Sequence, residues 1–268
     1  MTLAELSHTL AKMGVPDPST EARLLLSHLF DLSFAALLAE PMRSYESDAL
    51  FDALARRKKR EPLQHILGEV FFYGERYTVS ADCLIPRADT ELLVEEAIRR
   101  LPKGAVFADL CTGSGCIALS VLAHRPDLSA VAADLSDAAL AVAKKNAAAL
   151  GLSDRIRFFK CDLLSDPLPF DLPEHLLSNP PYISRSVLPT LAPELAYEPQ
   201  MALDGGEDGL LFYRSFLSRF SPRLFLLEIG YDQGAALLSL AQSANYRAQI
   251  LRDAGGCDRV AVLENAKK

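Results

Sequence analysis

The chain has 268 residues, half of them hydrophobic, and a formal net charge of −7. This length and composition allow a sizeable core, arranged in one large domain or two modest ones. The acidic balance argues against non-specific nucleic-acid binding, and no apolar run approaches the roughly 18 residues of a membrane-spanning helix, so we expect no membrane partner.

The first part of the chain has the pattern of a small helical domain. Short helices are predicted after Thr2, around residues 21–30, over 34–38 and over 47–60. Apolar residues recur at helical spacing, as in Leu3, Leu6 and Leu10, and Pro62 closes the region. We therefore place a helical domain over residues 1–62.

The last of these helices ends in the basic run Arg56-Arg57-Lys58-Lys59-Arg60. Basic residues are favoured at the carboxyl end of a helix by the helix dipole. We expect these side chains to be solvated, and a contact with an acidic partner surface is the alternative.

A β-hairpin is predicted next. Residues 70–73 and 76–79 are rich in aromatic and β-branched side chains, and Gly74-Glu75 between them has the composition of a turn. We expect this hairpin within a linker over residues 63–86, followed by a second domain over residues 87–268.

Strands and helices alternate from Ala105 onward. Strands are predicted over 106–110, 130–133, 156–160, 175–178, 224–229, 246–252 and 259–263, with helices between the earlier ones. This alternation is typical of an α/β fold in which helices cover both faces of a doubly wound, mostly parallel sheet. The last two strands have no helix between them and are expected to form an antiparallel C-terminal hairpin.

The cysteine and histidine patterns argue against a disulfide framework and against a metal site. The five cysteines are odd in number and include no C-x-x-C pair, which is typical of reduced thiols in a cytoplasmic protein. The five histidines show no metal-ligand spacing, so no metal is expected.

A glycine-rich turn, Asp109-Leu110-Cys111-Thr112-Gly113-Ser114-Gly115, ends the first strand of the second domain. Its glycines permit a tight turn, and the next helix points its N-terminus at the same place. Asp134 ends the next strand about 20 residues later, at the spacing of a carboxylate that binds ribose hydroxyls. The alternative is an ordinary strand–helix turn followed by a helix-capping aspartate.

This pair of features suits either a dinucleotide or S-adenosylmethionine. Asp109 favours the second, because a carboxylate before the turn would repel a pyrophosphate, whereas it can bind an ammonium group or order the loop. Asp162 and Leu163 follow the third strand, where the edge of an adenine would lie, and a solvated loop carboxylate is the alternative.

The four residues Asn179-Pro180-Pro181-Tyr182 follow the fourth strand. Neither proline can donate to a sheet ladder, so the chain must leave the sheet there with fixed φ angles. The Asn179 side chain and the Pro180 carbonyl then offer acceptors beside the Tyr182 ring. Such a cluster suits a flat group bearing an NH2, either a carboxamide or an exocyclic base amine. A plain proline turn is the alternative.

Together, residues 112–115, Asp134 and residues 179–183 resemble the class I S-adenosylmethionine-dependent methyltransferases that modify planar amides or amines. Further segments resemble the bacterial peptide chain release factor glutamine N5-methyltransferases over nearly the whole chain. These are Gln64–Gly68, Phe72–Gly74, Leu84–Arg87, Thr90-Glu91, Glu198-Pro199, Ala202–Leu210, Phe212–Arg214, Glu228–Gly234 and Asp258-Arg259.

The resemblance implies the class I methyltransferase fold and transfer of a methyl group from S-adenosylmethionine to the side-chain amide nitrogen (N5) of a glutamine. That glutamine belongs to the Gly-Gly-Gln loop of class 1 peptide chain release factors, and residues 1–62 would recognise this substrate. No direct nucleic-acid contact is expected.

The resemblance also assigns the site residues. The cofactor would be held by Asp109, Cys111, Thr112, Gly113, Ser114, Gly115, Asp134, Asp162, Leu163 and Asn179. The glutamine would be held by Asn179, Pro180, Pro181 and Tyr182, of which Asn179, Pro180 and Tyr182 would be catalytic, with the Tyr182 ring packed on the amide plane.

Other functions stay open at this point. Cys111 and Cys116 also resemble the sister family that methylates a glutamine of ribosomal protein L3, although the run Leu203-Asp204-Gly205-Gly206 favours the release-factor branch. An adenine-N6 methyltransferase would meet the same NH2 geometry. A nicotinamide-linked oxidoreductase could use the glycine turn, and a non-catalytic interaction protein could retain the fold.

Overall fold

A computed structural model describes residues 1–267 as two compact units. The first unit contains residues 1–69 and 193–197, and the second contains residues 70–192 together with the described residues from 198 onward. Within the described part of the chain, no helix has both the length and the apolar character that crossing a bilayer requires.

The first unit is helical. Its helices are α1 (Leu3–Lys12), α2 (Pro18–Phe30), α3 (Phe34–Ala39), α4 (Asp48–Lys58) and α5 (Leu63–Leu67). Side-chain oxygens of Thr2, Asp17, Ser33 and Ser47 accept backbone N–H groups at the first turns of α1 to α4. These caps satisfy donors that have no partner within a helix, so they fix where each helix begins.

The core of this unit is built from leucines on the inner faces of the helices, including Leu6, Leu10, Leu25 and Leu50, which are fully buried. Helices α1 to α4 match the predicted ones. Helix α5 was not predicted, because five residues are too few to show a helical period.

The basic run at the end of α4 is partly internal. Arg57 is 3 % exposed, and its Nε and Nη2 atoms donate to the Glu21 carboxylate over 2.8 and 3.1 Å. Its Nη1 atom lies 3.2 Å from Glu194, which also pairs with Arg60 over 2.7 Å. These ion pairs tie residues 193–197 to α4, so the expectation of a solvated helix end is wrong for Arg57.

Replacing Arg57 by Ala is expected to lower the free energy of unfolding by about 2–3 kcal/mol, because Glu21 and Glu194 would lose the cation that compensates their burial. The neighbouring Lys58 is exposed, and Lys58→Ala is the matched control, with an expected change within about 0.5 kcal/mol. Urea unfolding followed by circular dichroism measures both variants. Equal stabilities for the two would contradict this role of Arg57.

The second unit begins at Val70, within the small hairpin of β1 (Glu69–Phe72) and β2 (Glu75–Thr78). Its main sheet contains β3 (Val106–Leu110), β4 (Ser129–Asp134), β5 (Ile156–Lys160), β6 (His175–Ser178), β7 (Leu224–Glu228), β8 (Tyr246–Arg252) and β9 (Asp258–Asn265). The strand order is β5-β4-β3-β6-β7-β9-β8.

Strands β3 to β7 are paired in parallel, and β9 pairs antiparallel with both β7 and β8. This arrangement confirms the predicted doubly wound sheet with an antiparallel C-terminal hairpin. The chain runs outward from β3 to β5 and then crosses to β6 on the other side of β3. The carboxyl ends of β3 and β6 therefore flank the switch point at which open α/β sheets bind ligands.

Helices cover both faces of the main sheet. They are α6 (Glu91–Arg100), α7 (Cys116–His124), α8 (Asp137–Ala149), α9 (Leu211–Arg219) and α10 (Gly234–Ser243). Alternate residues of the strands enter two separate cores, Leu226 on the face of α6 and α7, and Phe225 and Leu227 on the face of α9 and α10. Continued alternation places the terminal Glu228 of β7, and likewise Asp109 of β3, on the α6–α7 face.

Candidate active site

A cavity of about 300 Å³ opens in the second unit at the carboxyl ends of β3, β4, β5 and β6. Parallel strands bring these ends to one edge of the sheet, although their sequences lie far apart. The predicted site residues that line the cavity are Cys111, Thr112, Gly113, Ser114, Asp134, Asp162, Leu163, Asn179 and Pro181. Asp109, Gly115, Pro180 and Tyr182 are not among the lining residues.

The glycine-rich turn has a left-handed backbone at three positions, with φ of +60° at Cys111, +54° at Gly113 and +82° at Gly115. A Cβ atom at Gly115 would lie 3.0 Å from Leu119 Cδ1 and 3.2 Å from Ala143 Cβ. Glycine is therefore required there both by the backbone conformation and by the close packing of α7 against α8.

Asp109 lies fully buried beneath the turn. Its Oδ2 atom accepts hydrogen bonds from Thr112 Oγ1 over 2.6 Å and from the Ala118 N–H over 3.3 Å. Burial raises the pKa of Asp109 to about 7, against the lowering effect of these two donors. Of the two roles considered for this carboxylate, ordering the loop is the one that its contacts support.

Asp134 both holds the turn and faces the cavity. Its Oδ2 atom accepts from the Gly113 N–H and its Oδ1 atom from the Ser136 N–H, each over 2.9 Å. The cap of α8 is Ser136, whose Oγ atom accepts from the Ala139 N–H over 3.1 Å. Asp134 is therefore not the capping residue, and burial raises its pKa.

Asp162 and Leu163 line the cavity from the loop after β5. The Asp162 carboxylate accepts from the Leu164 N–H and from Ser165 Oγ, each over 2.9 Å, and these hydrogen bonds lower its pKa. Asp162 is thus a charged group that its own turn orients.

The Asn179–Tyr182 loop begins where β6 ends, at Ser178. Asn179 Nδ2 donates to Thr90 Oγ1 over 3.3 Å, and no residue in 1–267 donates to Asn179 Oδ1. The Pro180 carbonyl also has no hydrogen-bond partner within residues 1–267. Both acceptors named from the sequence are therefore unpaired, and Asn179 is the one whose residue lines the cavity.

Tyr182 is not among the residues that line the cavity. Its hydroxyl donates to Glu228 Oε1 over 3.3 Å, and burial raises the pKa of Tyr182. The structure thus gives its ring a place in the packing against the core of α9 and α10. Stacking of the ring on a substrate amide stays a prediction.

Hydrogen bonds to the backbone join this loop to other segments of the chain. The Ile183 N–H donates to the Leu203 carbonyl over 3.0 Å, and the Gly205 N–H donates to the Ile183 carbonyl over 2.8 Å. Gln233 Nε2 donates to the Tyr182 carbonyl over 2.9 Å and to the Gly209 carbonyl over 3.2 Å. The loop is therefore fixed on both sides by segments that are distant in sequence.

Comparisons with known proteins agree with this arrangement. Residues 2–68 match the family model of the PrmC N-terminal domain, and residues 87–211 match that of the methyltransferase small domain. A release factor glutamine methyltransferase of Cereibacter sphaeroides is 42 % identical over 264 residues, which cover 94 % of this chain and 92 % of the relative. The chain belongs to the release factor glutamine methyltransferase family.

A second relative with the same name, from Caulobacter vibrioides, is 39 % identical over 263 residues, covering 92 % of this chain and 89 % of the relative. Among solved structures, the hMettl16 catalytic domain in complex with the MAT2A 3'UTR hairpin 6 superposes with a TM-score of 0.57 at 16 % identity, over 82 % of each chain. That likeness shows a shared fold.

Several lining residues of this release factor glutamine methyltransferase family member were not predicted as site residues. They are Asp82, Cys83, Leu84, Pro86, Arg87, Thr90, Leu135, Ser136, Met201 and Phe212, with others around them. Residues 84–87 and Thr90 were noted for the family resemblance alone, since nothing in their residue types indicates a ligand. Glu198 accepts from the Ile85 N–H over 2.9 Å and pairs with Arg87, so it holds residues 84–87 in place at the cavity.

Gly209→Ala is expected to destabilise this protein more than replacement of a glycine that has the same left-handed backbone but open space around it. Gly209 has φ of +77°, and a Cβ atom there would collide with the Tyr182 carbonyl and lie 2.6 Å from Gln233 Nε2. The control is Gly74→Ala, because Gly74 has φ of +83° with no atom within 4 Å.

Gly74→Ala should cost about 1–2 kcal/mol, the cost of the left-handed backbone, and Gly209→Ala should cost more. Thermal unfolding of both variants measures the difference. Equal losses would contradict the close packing around the Tyr182 carbonyl.

Proposed function

We propose that this protein transfers a methyl group from S-adenosylmethionine to the side-chain amide nitrogen of the glutamine in the Gly-Gly-Gln loop of class 1 peptide chain release factors. The relatives that match almost the whole chain carry the name of this activity. The observation that carries the proposal is the unpaired Asn179 Oδ1 atom on a residue that shares one cavity with Asp134 and the glycine-rich turn.

The residues of the cavity fit S-adenosylmethionine better than a dinucleotide. Each carboxylate oxygen of Asp134 accepts one hydrogen bond from a backbone N–H group. Each oxygen can therefore still accept a hydrogen bond from a ribose hydroxyl. The basic side chains in the lining are Arg87 and Arg185, and they are paired with Glu198 and Asp204, which disfavours a pyrophosphate there. When bound, S-adenosylmethionine would supply a methyl group made electrophilic by its sulfonium.

The substrate requires alignment more than activation by a strong base. An amide nitrogen is a weak nucleophile because its lone pair is delocalised, so a fixed position for the NH2 lowers the barrier. Asn179 Oδ1 and the Pro180 carbonyl would accept the two N–H bonds and stabilise the positive charge that develops on nitrogen. The methylated, positively charged amide then loses its proton readily to solvent.

Asn179→Ala is expected to lower kcat by about 10²–10³-fold, the loss seen when one preorganised hydrogen-bond partner of a transition state is removed. The affinity for S-adenosylhomocysteine, measured by calorimetry, should fall far less than kcat. Gln242→Ala, which removes an exposed carboxamide from α10, is the matched control. A parent-like kcat for Asn179→Ala would show that this carboxamide does not act on the substrate.

Asp134→Ala is expected to weaken S-adenosylhomocysteine binding by about 10–100-fold, because hydrogen bonds to a charged acceptor would be lost. Asp137→Ala is the control, since Asp137 is an exposed carboxylate on the adjoining helix, paired with Lys160. Calorimetric titration gives both dissociation constants. Equal affinities for the two variants would contradict the placement of the cofactor against Asp134.

Mass spectrometry of a class 1 release factor after incubation with the protein and S-adenosylmethionine tests the function itself. The expected result is one added methyl group on the Gly-Gly-Gln glutamine. Parallel incubations with ribosomal protein L3 and with DNA test the two nearest alternatives. Methylation of either of these, without methylation of the release factor, would overturn the proposal.

A further inference from the structure

A buried carboxamide, that of Gln233, contacts the Asn179–Tyr182 loop. Gln233 is 8 % exposed and is not among the residues that line the cavity. Its Nε2 atom donates to the Tyr182 carbonyl over 2.9 Å and to the Gly209 carbonyl over 3.2 Å. Its Oε1 atom accepts from the Gly230 N–H over 2.9 Å. This side chain can therefore act on a substrate only through the backbone groups that it holds.

These three contacts fix the orientation of the Gln233 amide. A carboxamide nitrogen has two hydrogens to donate, whereas its oxygen can only accept. The nitrogen of Gln233 faces two carbonyl oxygens and its oxygen faces an N–H group, so a reversed amide would place the oxygen against two acceptors. Both hydrogens are thus committed to the backbone in a single orientation.

The Tyr182 carbonyl is the point at which Gln233 contacts the substrate loop. At its other end the loop leaves the sheet after Ser178. The two prolines between these ends have rings that fix φ, so few backbone torsions remain free. Fixing the Tyr182 carbonyl therefore also fixes where the Pro180 carbonyl and the Asn179 side chain lie.

The second carbonyl held by Gln233 belongs to a segment that forms part of the cavity wall. Asp204 and Leu211, on either side of Gly209, line the cavity. A Cβ atom at Gly209 would lie 2.6 Å from Gln233 Nε2, so this segment packs closely on the carboxamide. Gln233 thus holds the substrate loop and this wall at a fixed distance from each other.

A second buried carboxamide has the same arrangement of contacts at the glycine-rich turn. Asn146 in α8 is 1 % exposed and is also not among the lining residues. Its Nδ2 atom donates to the Thr78 and Ser114 carbonyls, each over 3.0 Å, and its Oδ1 atom accepts from the Thr78 N–H over 2.8 Å. Ser114 belongs to the glycine-rich turn, so Asn146 joins that turn to β2.

We propose that the two carboxamides are positioning residues with separate roles: Gln233 places the acceptors of the substrate loop, and Asn146 places the glycine-rich turn for the cofactor. The inference rests on the proposed function. Without the Gln233 donors the Tyr182 carbonyl is released, and the Asn179 oxygen and the Pro180 carbonyl no longer keep the spacing that one NH2 group requires. Without the Asn146 donors the glycine-rich turn is released instead.

Gln233→Glu and Asn146→Asp are the most direct variants, because each keeps the shape of the side chain and replaces its NH2 by an oxygen. Even when protonated, such a carboxyl has one hydrogen for two carbonyl groups. Gln233→Leu and Asn146→Leu form a second pair that carries no ionisable group, and the first pair decides the outcome if the second fails to fold. Gln242→Glu changes an exposed carboxamide on α10 and is the control.

Steady-state kinetics with release factor and S-adenosylmethionine, together with calorimetry of S-adenosylhomocysteine binding, test the proposal. Gln233→Glu is expected to lower kcat by about tenfold or more, while the affinity for S-adenosylhomocysteine falls far less. Asn146→Asp is expected to weaken S-adenosylhomocysteine binding by about tenfold or more, while kcat at saturating cofactor falls far less. Gln242→Glu should match the parent in both measurements.

A purely structural role would lower kcat and cofactor affinity in step, so equal losses of the two in either variant would overturn the proposal. A parent-like kcat for Gln233→Glu, or a parent-like cofactor affinity for Asn146→Asp, would also overturn it.

Hydrogen exchange of the protein without substrate separates this inference from the proposed function. In Gln233→Glu, the Ile183 and Gly205 N–H groups, which join the substrate loop to its neighbouring segment, are expected to exchange faster than in the parent. The Gly115 N–H group of the glycine-rich turn should keep the parent rate. Asn146→Asp should show the reverse pattern.

Exchange that is unchanged, or that rises equally at both places in each variant, would overturn the separate roles even if the release factor is the substrate. Failure of the parent to methylate a release factor would instead overturn the proposed function. The exchange pattern would then still decide the roles of the two carboxamides.

Discussion

The site depends on the way the chain leaves the sheet after β6. Pro180 and Pro181 have no N–H groups, so the parallel ladder cannot continue past Ser178, and the carbonyl of Pro180 is left unpaired. Because β6 lies beside β3 in the sheet, this exit occurs next to the glycine-rich turn. The missing N–H groups of the two prolines thus leave hydrogen-bond acceptors beside the proposed cofactor pocket.

Buried carboxyl groups contact the two loops of the site, the glycine-rich turn and the Asn179–Tyr182 loop. Asp109 orders the glycine-rich turn through Thr112, and Glu228 accepts a hydrogen bond from the hydroxyl of Tyr182 in the proline loop. Asp109 is the penultimate residue of β3 and Glu228 is the last of β7, both on the α6–α7 face, and burial raises the pKa of each to about 7. Burial of such groups is costly unless they are hydrogen-bonded, which fits a function in ordering loops rather than in stabilising the core.

The sequence predicted those features of the structure that depend on residues close together along the chain. The strand–helix alternation, the glycine-rich turn and Asp134 follow from periodicity and spacing, and the structure brings these residues together. Thr90 and Gln233 could not be found in this way, because they reach the loop from segments far away in sequence. The error at Arg57 has the same origin, because its guanidinium pairs with the carboxylates of Glu21 and Glu194, which lie 36 and 137 positions away along the chain.

The central claim is that Asn179 Oδ1 accepts a hydrogen bond from the amide nitrogen that becomes methylated. A crystal structure of the protein with S-adenosylhomocysteine and a class 1 release factor tests it directly. The expected distance between Asn179 Oδ1 and the amide nitrogen of the Gly-Gly-Gln glutamine is about 2.9 Å, that of a normal hydrogen bond. A glutamine bound elsewhere in the cavity, or an Asn179 amide that turns its nitrogen toward the substrate, would contradict the account.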